Sequence, residues 1–140
     1  MPAQLDHIGI IVAKLEDALA FYRDTVGLGE PIIREIPELK LRLGFFDNRG
    51  TIIELVEASG KTDMVPGDVV VAIEVDDLDE AIAKYRAAGL KVYDQPPTPN
   101  LPLRRGWVPK GGVHGSVIEL CLRGEVARFV RGEIKQALAG

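Results

Sequence analysis

Residues 7–23, HIGIIVAKLEDALAFYR, recur 63 positions further along the chain as residues 70–86, VVAIEVDDLDEAIAKYR. Seven of the 17 aligned pairs are identical, where chance gives about one. A second pair of matching segments, GTIIEL at 50–55 and GSVIEL at 115–120, follows at a shift of 65 residues. The chain therefore consists of two copies of one supersecondary unit.

Within each unit the hydrophobic pattern predicts one strand, one helix and three further strands. Residues 5–12 and 69–75 are short runs rich in β-branched residues, which is typical of strands. The apolar residues that follow recur at helical spacing as far as Gly27 and Gly89, and glycine is common just after a helix. The later strands are predicted at residues 32–36, 39–46 and 51–57 in the first unit, and at 91–93, 104–108 and 116–122 in the second.

The predicted architecture is a single α+β domain over residues 1–140, with two βαβββ modules. The modules occupy residues 4–58 and 66–123, and a C-terminal helix occupies residues 124–140. Apolar residues recur at helical spacing across 125–138, although Gly132 inside this segment lowers its helical propensity. We expect the helix to cover a sheet edge or a subunit contact.

Composition and charge limit the classes of function. The chain has 140 residues, 46% of them hydrophobic, and a formal net charge of −4. That charge disfavours nucleic acid and anionic membranes as partners. The single cysteine, Cys121, excludes an internal disulfide and predicts a small buried thiol in a reducing compartment. No signal peptide or apolar run of ~18 residues is present, so we expect a cytoplasmic protein.

Two glutamates occupy matching positions in the two units. Glu54 and Glu119 each lie between apolar residues in the last strand of their unit. A carboxylate in such a strand is costly unless water, hydrogen bonds or a metal ion receives it. The repeat therefore points to Glu54 and Glu119 as candidate functional residues.

Several separated motifs resemble the vicinal oxygen chelate superfamily, also called the glyoxalase/bleomycin-resistance/extradiol-dioxygenase group. They are LDHIGIIV at 5–12, VAIEVDD at 71–77, PK at 109–110 and HGSVIELC at 114–121. The methylmalonyl-CoA epimerases are the members most similar in detail. The resemblance covers residues 5–122. It implies that the two βαβββ modules form a half-open mixed β-barrel, a glyoxalase-like fold, whose cavity holds a divalent metal.

Position by position, the resemblance implies His7, Glu54 and Glu119 as metal ligands, with Glu119 or Glu54 also carrying the proton. One imidazole and two carboxylates suit Co, Mn, Ni or Zn and leave coordination positions open for substrate oxygens. The fourth ligand position of the family falls on Val70, the repeat partner of His7. A valine side chain cannot bind metal.

The resemblance also places Arg42, with Lys40 as its neighbour on the same face, where the epimerases have a glutamate base. Arginine stays protonated and makes a poor base. Basic residues that face the cavity could instead hold a carboxylate or phosphate of a small-molecule substrate such as an acyl-CoA. The candidates are Arg42, Lys40, Arg104, Arg105 and Lys110, and the alternative for each is a solvated surface charge. His114, in a glycine-rich turn, is a further candidate whose alternative is a surface or hinge role.

Two functions remain open. The first is a metal-dependent isomerase or lyase, resembling methylmalonyl-CoA epimerase or glyoxalase, that transfers a proton at the carbon α to a carbonyl or thioester through a metal-stabilised enolate. The second is a metal-free binding or sequestering module of the same superfamily, favoured by Val70 and Arg42. An extradiol-type dioxygenase fits poorly, because such iron sites need a second histidine. We further expect a homodimer.

Overall fold

The computed structural model describes residues 2–138, which contain eight strands and three α-helices. The strands are β1 (Gln4–Ile11), β2 (Ile32–Ile36), β3 (Leu41–Asn48), β4 (Thr51–Ala58), β5 (Val69–Val75), β6 (Tyr93–Gln95), β7 (Arg105–Val108) and β8 (Val117–Leu122). The helices are α1 (Leu15–Ala20), which continues as a π-helical turn at Phe21–Thr25, α2 (Leu78–Ala87) and α3 (Glu125–Val130). The predicted βαβββ order is confirmed in both halves.

All eight strands form one mixed sheet with the order β2-β3-β4-β1-β5-β8-β7-β6. Each module contributes four neighbouring strands, in which the first strand pairs in parallel with the last. The modules join through the antiparallel pair β1–β5, so the strand order of one half is repeated in reverse in the other. The sheet curls into the half-open barrel that was predicted, and the two first strands meet at its centre.

The helices α1 and α2 pack on the outer face of the sheet at equivalent glycines. A Cβ added at Gly44 of β3 would lie 2.5 Å from Cδ2 of Leu19, and one added at Gly106 of β7 would lie 3.3 Å from Cγ1 of Ile82. The missing side chains let each helix approach its sheet closely. Glycine at both positions therefore repeats the same helix-on-sheet contact in the two modules.

The inner face of the sheet carries the largest core cluster. The helix α3 buries Val126, Phe129 and Val130 in it, and the rings of Phe129 and Phe45 meet edge to face with centroids 6.4 Å apart. Smaller clusters lie beneath α1 and α2 on the outer face. Apolar side chains thus fill one part of the half-barrel, and the remainder of the inner face lines a cavity.

Four strands begin later than predicted, among them β8, which begins at Val117 and not at residue 116. The strand β3 begins at Leu41 and not at residue 39, because Pro37 opens a 3-10 turn and Lys40 adopts a left-handed φ of 54°. In the second module β6 begins at Tyr93 and not at residue 91, and β7 begins at Arg105 and not at residue 104. The proline-rich segment between β6 and β7 remains a loop.

The C-terminal helix is shorter than predicted. It ends at Val130 and not at residue 138, and Gly132 just beyond it adopts a φ of 79° that favours glycine and stops a helix. The following segment contacts the edge strand β2, where Nε2 of Gln136 donates to the backbone oxygen of Glu35. Residues 139 and 140 of the predicted helix lie outside the described residues. No helix within residues 2–138 is long and apolar enough to cross a membrane.

Candidate metal centre

Three buried side chains from three strands converge on the inner face of the sheet: His7 of β1, Glu54 of β4 and Glu119 of β8. Nε2 of His7 lies 3.2 Å from Oε1 of Glu54 and 3.8 Å from Oε1 of Glu119. One donor atom from each residue lies within 4.8 Å of the others. The exposed fractions of His7, Glu54 and Glu119 are 3%, 7% and 2%. The structure thus brings together all three of the metal ligands that the sequence predicts.

The register of β1 against its two neighbours places Glu54 beside position 70. Gly9 pairs with Glu54 of β4 on one side and with Val70 of β5 on the other. A Cβ added at Gly9 would lie 3.2 Å from Cβ of Val70 and 3.3 Å from Oε1 of Glu54. Glycine at this position therefore keeps open the space that the Glu54 carboxylate occupies.

The second module places Glu119 beside His7 by the same relation. His7 pairs with Ala72 of β5, and Ala72 pairs with Glu119 of β8. Ala72 is the repeat partner of Gly9, since 72 − 9 = 63. Small residues at these two positions leave room for the carboxylate of the neighbouring strand in each module. The two modules therefore contribute Glu54 and Glu119 to the centre in equivalent ways, as the repeated strand order of the sheet requires.

A carboxylate outside the predicted set orients the imidazole. Nδ1 of His7 lies 2.6 Å from Oδ2 of Asp6, whose side chain is also buried. Leu5 pairs with Ile73 and His7 pairs with Ala72, so β1 has one extra residue, Asp6, at a β-bulge. In a regular strand adjacent side chains face opposite sides, whereas a bulge re-aims one of them. Asp6 therefore holds the ring so that Nε2 faces the two glutamates.

The electrostatics of the centre favour a cation. Burial lowers the pKa of His7, but the hydrogen bond to Asp6 and the neighbouring Glu54 and Glu119 carboxylates outweigh burial and raise this pKa to about 11. Burial also raises the pKa of Glu119, an effect that His7 and Arg105 oppose. Several carboxylates with little access to water therefore surround one imidazole.

Two buried polar atoms of this centre have no hydrogen-bond partner among residues 2–138: Nε2 of His7 and Oε1 of Glu119. The 3.2 Å contact of Nε2 with Glu54 lacks hydrogen-bond geometry. An unsatisfied buried polar atom costs about 1–3 kcal/mol. A divalent ion between His7, Glu54 and Glu119 would satisfy both atoms, and one nitrogen with two carboxylates is a donor set that Co, Mn, Ni and Zn accept. The residues present therefore fit a metal centre with three protein ligands.

Val70 of β5 is the repeat partner of His7 and lies beside this trio of residues. Its side chain is 2% exposed, lies next to Gly9 and lines the cavity. The second module thus places methyl groups where the first module places the imidazole of His7. A bound ion would have to take its remaining ligands from solvent or substrate.

The cavity beside this centre is lined by both modules, is open on one side and has a volume of about 420 Å³. This lies within the range of small-molecule sites in proteins. Its wall is mainly apolar, and Glu54 is the member of the trio that lines it directly. The apolar wall consists of Ile11, Leu39, Leu41, Leu43, Val56, Val70, Met64 and Val117, among others.

Arg42 does not face the cavity, contrary to the expectation from the resemblance. Its guanidinium forms ion pairs with Glu16, Glu35 and Glu57. Side chains alternate along β3, so that Leu43 points into the cavity and Arg42 points to the outer face. Arg42 therefore belongs to a surface ion-pair network.

Four further predicted substrate contacts are absent from the cavity wall among the described residues: Lys40, Arg104, Lys110 and His114. Arg104 pairs with Asp79 and Asp94, and Lys110 pairs with Asp68. Lys40 and His114 are exposed, and both adopt positive φ in turns. These four residues are therefore surface residues in the structure and do not form part of the substrate cavity.

Arg105 is the predicted basic residue that does line the cavity. Its Nη2 donates to Oε1 of Gln95 at 2.9 Å, and Nε1 of Trp107 donates to the same oxygen at 2.8 Å. The guanidinium carbon lies 5.0 Å from the centre of the Trp107 ring. Gln95 was not predicted, because a glutamine just before a proline-rich loop carries no signal of its own in the sequence.

Comparison with known families agrees with this geometry. Residues 4–103 match the sequence model of the Glyoxalase/Bleomycin resistance protein/Dioxygenase superfamily. The protein belongs to this superfamily.

Solved structures of the same fold include two informative neighbours. A hypothetical protein of Bacillus halodurans C-125 is 22% identical, with a TM-score of 0.72 over 89% of this chain and 97% of that one. A variant of the Streptomyces coelicolor methylmalonyl-CoA epimerase, in complex with 2-nitronate-propionyl-CoA, is 26% identical, with a TM-score of 0.70 over 88% of this chain and 96% of that one.

A further relative is an uncharacterized protein of Bacillus subtilis (strain 168), YqjC. It is 37% identical over 54 residues, which span 39% of this chain and 39% of that protein. The match to this curated relative therefore covers less than half of either chain.

Proposed function

We propose that the protein is a metal-dependent isomerase or lyase that transfers a proton at the carbon α to a carbonyl or thioester. The observation that carries the proposal is the pair of unpartnered atoms, Nε2 of His7 and Oε1 of Glu119, which face each other next to Glu54 beside an apolar cavity. The similarity to an epimerase that binds an acyl-CoA analogue supports acyl-CoA thioesters as one substrate class to test.

In this proposal His7, Glu54 and Glu119 would hold the ion, and Asp6 would keep Nε2 of His7 directed at it. A divalent ion held there would polarise a substrate carbonyl and so make the adjacent carbon a stronger acid. Glu54 lines the cavity, so its carboxylate is the better placed to take up the proton. Glu119 lies deeper, with Oε2 3.9 Å from Nη1 of Arg105.

The cavity favours reactions that need one base. Inversion of configuration requires a second proton carrier on the opposite side of the substrate, and the β3 residues that line the cavity, Leu41 and Leu43, cannot carry a proton. The other carboxylate that lines the cavity among the described residues is Asp63, in the exposed loop after β4. We therefore favour a lyase, or an isomerase that moves a proton on one face of its substrate, over an epimerase.

The test combines metal analysis with isotope exchange. The purified chain is reconstituted with Co²⁺, Mn²⁺, Ni²⁺ or Zn²⁺, and its metal content is measured. α-Substituted acyl-CoA thioesters and α-keto acids are then incubated with it in D₂O, with Glu54→Gln as the comparison. The proposal expects one bound ion per chain and deuterium uptake that Glu54→Gln abolishes. No bound metal and no deuterium uptake would contradict it.

The alternative is a metal-free binding module of the same superfamily, and Val70 at the fourth ligand position favours it. In that case His7 would have a structural role. A His7→Ala variant would keep its affinity for small-molecule ligands of the cavity. Joint loss of metal and of ligand affinity in that variant would exclude this alternative.

A cytoplasmic location is part of the same proposal. Cys121 is a free, buried thiol whose Sγ lies 3.5 Å from the backbone oxygen of Ile73, and burial raises its pKa. Such a thiol is unreactive and suits a reducing compartment. The homodimer stays a prediction, which sedimentation velocity would test.

A further inference from the structure

Arg105 is a buried charge with incomplete pairing. The residue is 5% exposed, and its Nε has no hydrogen-bond partner among residues 2–138. Its Nη2 donates to the neutral Gln95, and Nη1 lies 3.9 Å from Oε2 of Glu119, beyond hydrogen-bond distance. A buried guanidinium without a hydrogen-bonded anion is costly, so a further anionic partner is expected at this position.

The repeat shows that this charge is specific to the second module. Phe45 pairs with Glu54 in the first module, and Trp107 pairs with Glu119 in the second. Two residues before these aromatic residues stand Leu43 and Arg105, which both line the cavity. The same inner position is therefore apolar in one module and cationic in the other, and the cavity is chemically asymmetric.

The neighbours of Arg105 hold it in place for a ligand. Oε1 of Gln95 accepts from both Arg105 and Trp107, and the guanidinium lies over the indole ring. A guanidinium that stacks on a ring and donates to a fixed partner is already ordered, and its remaining N–H groups are available to bind a ligand. An ordered fork of this kind suits the two oxygens of a carboxylate.

We propose that Arg105 binds the carboxylate of a small organic acid inside the cavity, beside the metal centre. The leucine and valine wall takes the apolar part of this acid, and the volume of about 420 Å³ suits a compact molecule. The carbonyl of the acid would then lie at the end of the cavity formed by His7, Glu54 and Glu119. This part of the inference rests on the proposed function. The substrate class is thus an acid whose carboxylate and reactive carbonyl lie close together.

The test uses Trp107, the single tryptophan of the chain, as the reporter. The full chain is titrated with isovalerate and with its neutral amide, isovaleramide, and tryptophan fluorescence is recorded with a chelator and again with Co²⁺. The proposal expects saturable binding of isovalerate in both states. It also expects the amide to bind about tenfold more weakly, because a hydrogen bond to a charged group is lost.

The variants separate Arg105 from its neighbour in sequence. Arg105→Gln should abolish the preference for the acid, and Arg105→Lys should keep a weaker preference. Arg104→Gln is the matched control, because Arg104 pairs with Asp79 and Asp94 outside the cavity. It should bind both compounds as the wild type does. If Arg105→Gln fails to fold, the comparison of acid with amide in the wild type and in Arg105→Lys remains decisive.

Failure of this inference is distinguishable from failure of the proposed function. The chelator arm needs neither metal nor turnover, so loss of metal binding leaves it intact. Equal binding of acid and amide, no saturable binding of the acid, or a preference that survives in Arg105→Gln would each overturn the inference. So would a fall in Co²⁺ affinity in Arg105→Gln with unchanged acid affinity, which would assign Arg105 to the support of Glu119.

Discussion

Oδ2 of Asp6 lies 2.6 Å from Nδ1 of His7, at the bulge where β1 shifts its register against β5. This contact fixes which imidazole nitrogen faces Glu54 and Glu119. Partners of this kind set the tautomer and the orientation of metal-binding histidines. The bulge therefore connects the backbone of the first strand to the chemistry of the centre.

Removing this contact should weaken metal binding without removing a ligand. In Asp6→Ala we expect the affinity for Co²⁺ to fall by about 10–100-fold, because the imidazole loses its orientation. The measurement is a Co²⁺ titration followed by visible absorption. Asp17→Ala, an exposed change in α1, is the control and should bind as the wild type does. Unchanged affinity in a folded Asp6→Ala chain would show that the contact has no role in metal binding.

A donor at position 70 should complete the metal centre. Val70 is buried on the inner face next to Gly9, so Val70→His places an imidazole at the fourth ligand position. We expect Co²⁺ to bind more tightly, on the order of tenfold or more. Val71→His, on the same strand but directed to the other face, is the matched control and should leave the affinity unchanged. An equal gain in both variants would argue against the assigned position.

The link between the two modules should make stability sensitive to acid. Backbone N of Asn100 donates to Oε2 of Glu38 at 2.6 Å, and Nδ2 of Asn100 donates to Oε1 at 2.8 Å. Burial raises the pKa of Glu38, but the hydrogen bonds from Asn100 outweigh it and lower this pKa from 4.5 to about 2. A carboxyl whose pKa is lowered in the folded state stabilises the fold above its unfolded pKa. This stabilisation is lost as the pH falls towards the folded value.

The free energy of unfolding should therefore fall between pH 4.5 and about 2 more steeply in the wild type than in Glu38→Gln. Urea unfolding followed by circular dichroism at a series of pH values measures this slope. Glu133→Gln, at an exposed position, should keep the wild-type slope. Identical slopes for Glu38→Gln and the wild type would rule out the proposed link.

A side chain at Gly44 should disturb the packing of α1 on the sheet. The new Cβ would lie 2.5 Å from Cδ2 of Leu19, so the helix or the leucine has to move. We expect Gly44→Ala to lower the free energy of unfolding by about 1–3 kcal/mol, as overpacking does elsewhere. Gly111→Ala is the control, because an added Cβ there meets nothing within 4 Å. Equal stability of the two variants would contradict the close approach.

The βαβββ order and the paired glutamates could be predicted because both follow from the repeat, whereas the half-open barrel and His7 as a candidate ligand came from the family resemblance. Matching segments give matching strands, and the paired glutamates Glu54 and Glu119 mark the inner face of the last strand in each module. The pairing of β1 with β5 then brings His7 to both of them. None of these steps depends on side-chain detail.

The remaining features depend on geometry that a pattern does not contain. A bulge at Asp6 breaks the alternation from which strand faces are predicted, so its contact with His7 could not be foreseen. Arg42 was placed in the cavity by the resemblance, although the apolar alternation of Leu41 and Leu43 favours the opposite face, which the structure adopts. The roles of Arg104 and Arg105 can likewise be distinguished only once the bounds of β7 are known. Arg105 points into the cavity, whereas Arg104 forms an ion pair with Asp94 outside it.

We propose above all that His7, Glu54 and Glu119 together bind one divalent ion. The most direct measurement is anomalous diffraction at the cobalt edge from crystals grown with Co²⁺, for the wild type and for His7→Ala. We predict one anomalous peak between Nε2 of His7 and the carboxylates of Glu54 and Glu119, and no peak there in His7→Ala. A wild-type crystal with cobalt bound only elsewhere, or a peak at this position that persists in His7→Ala, would contradict the claim.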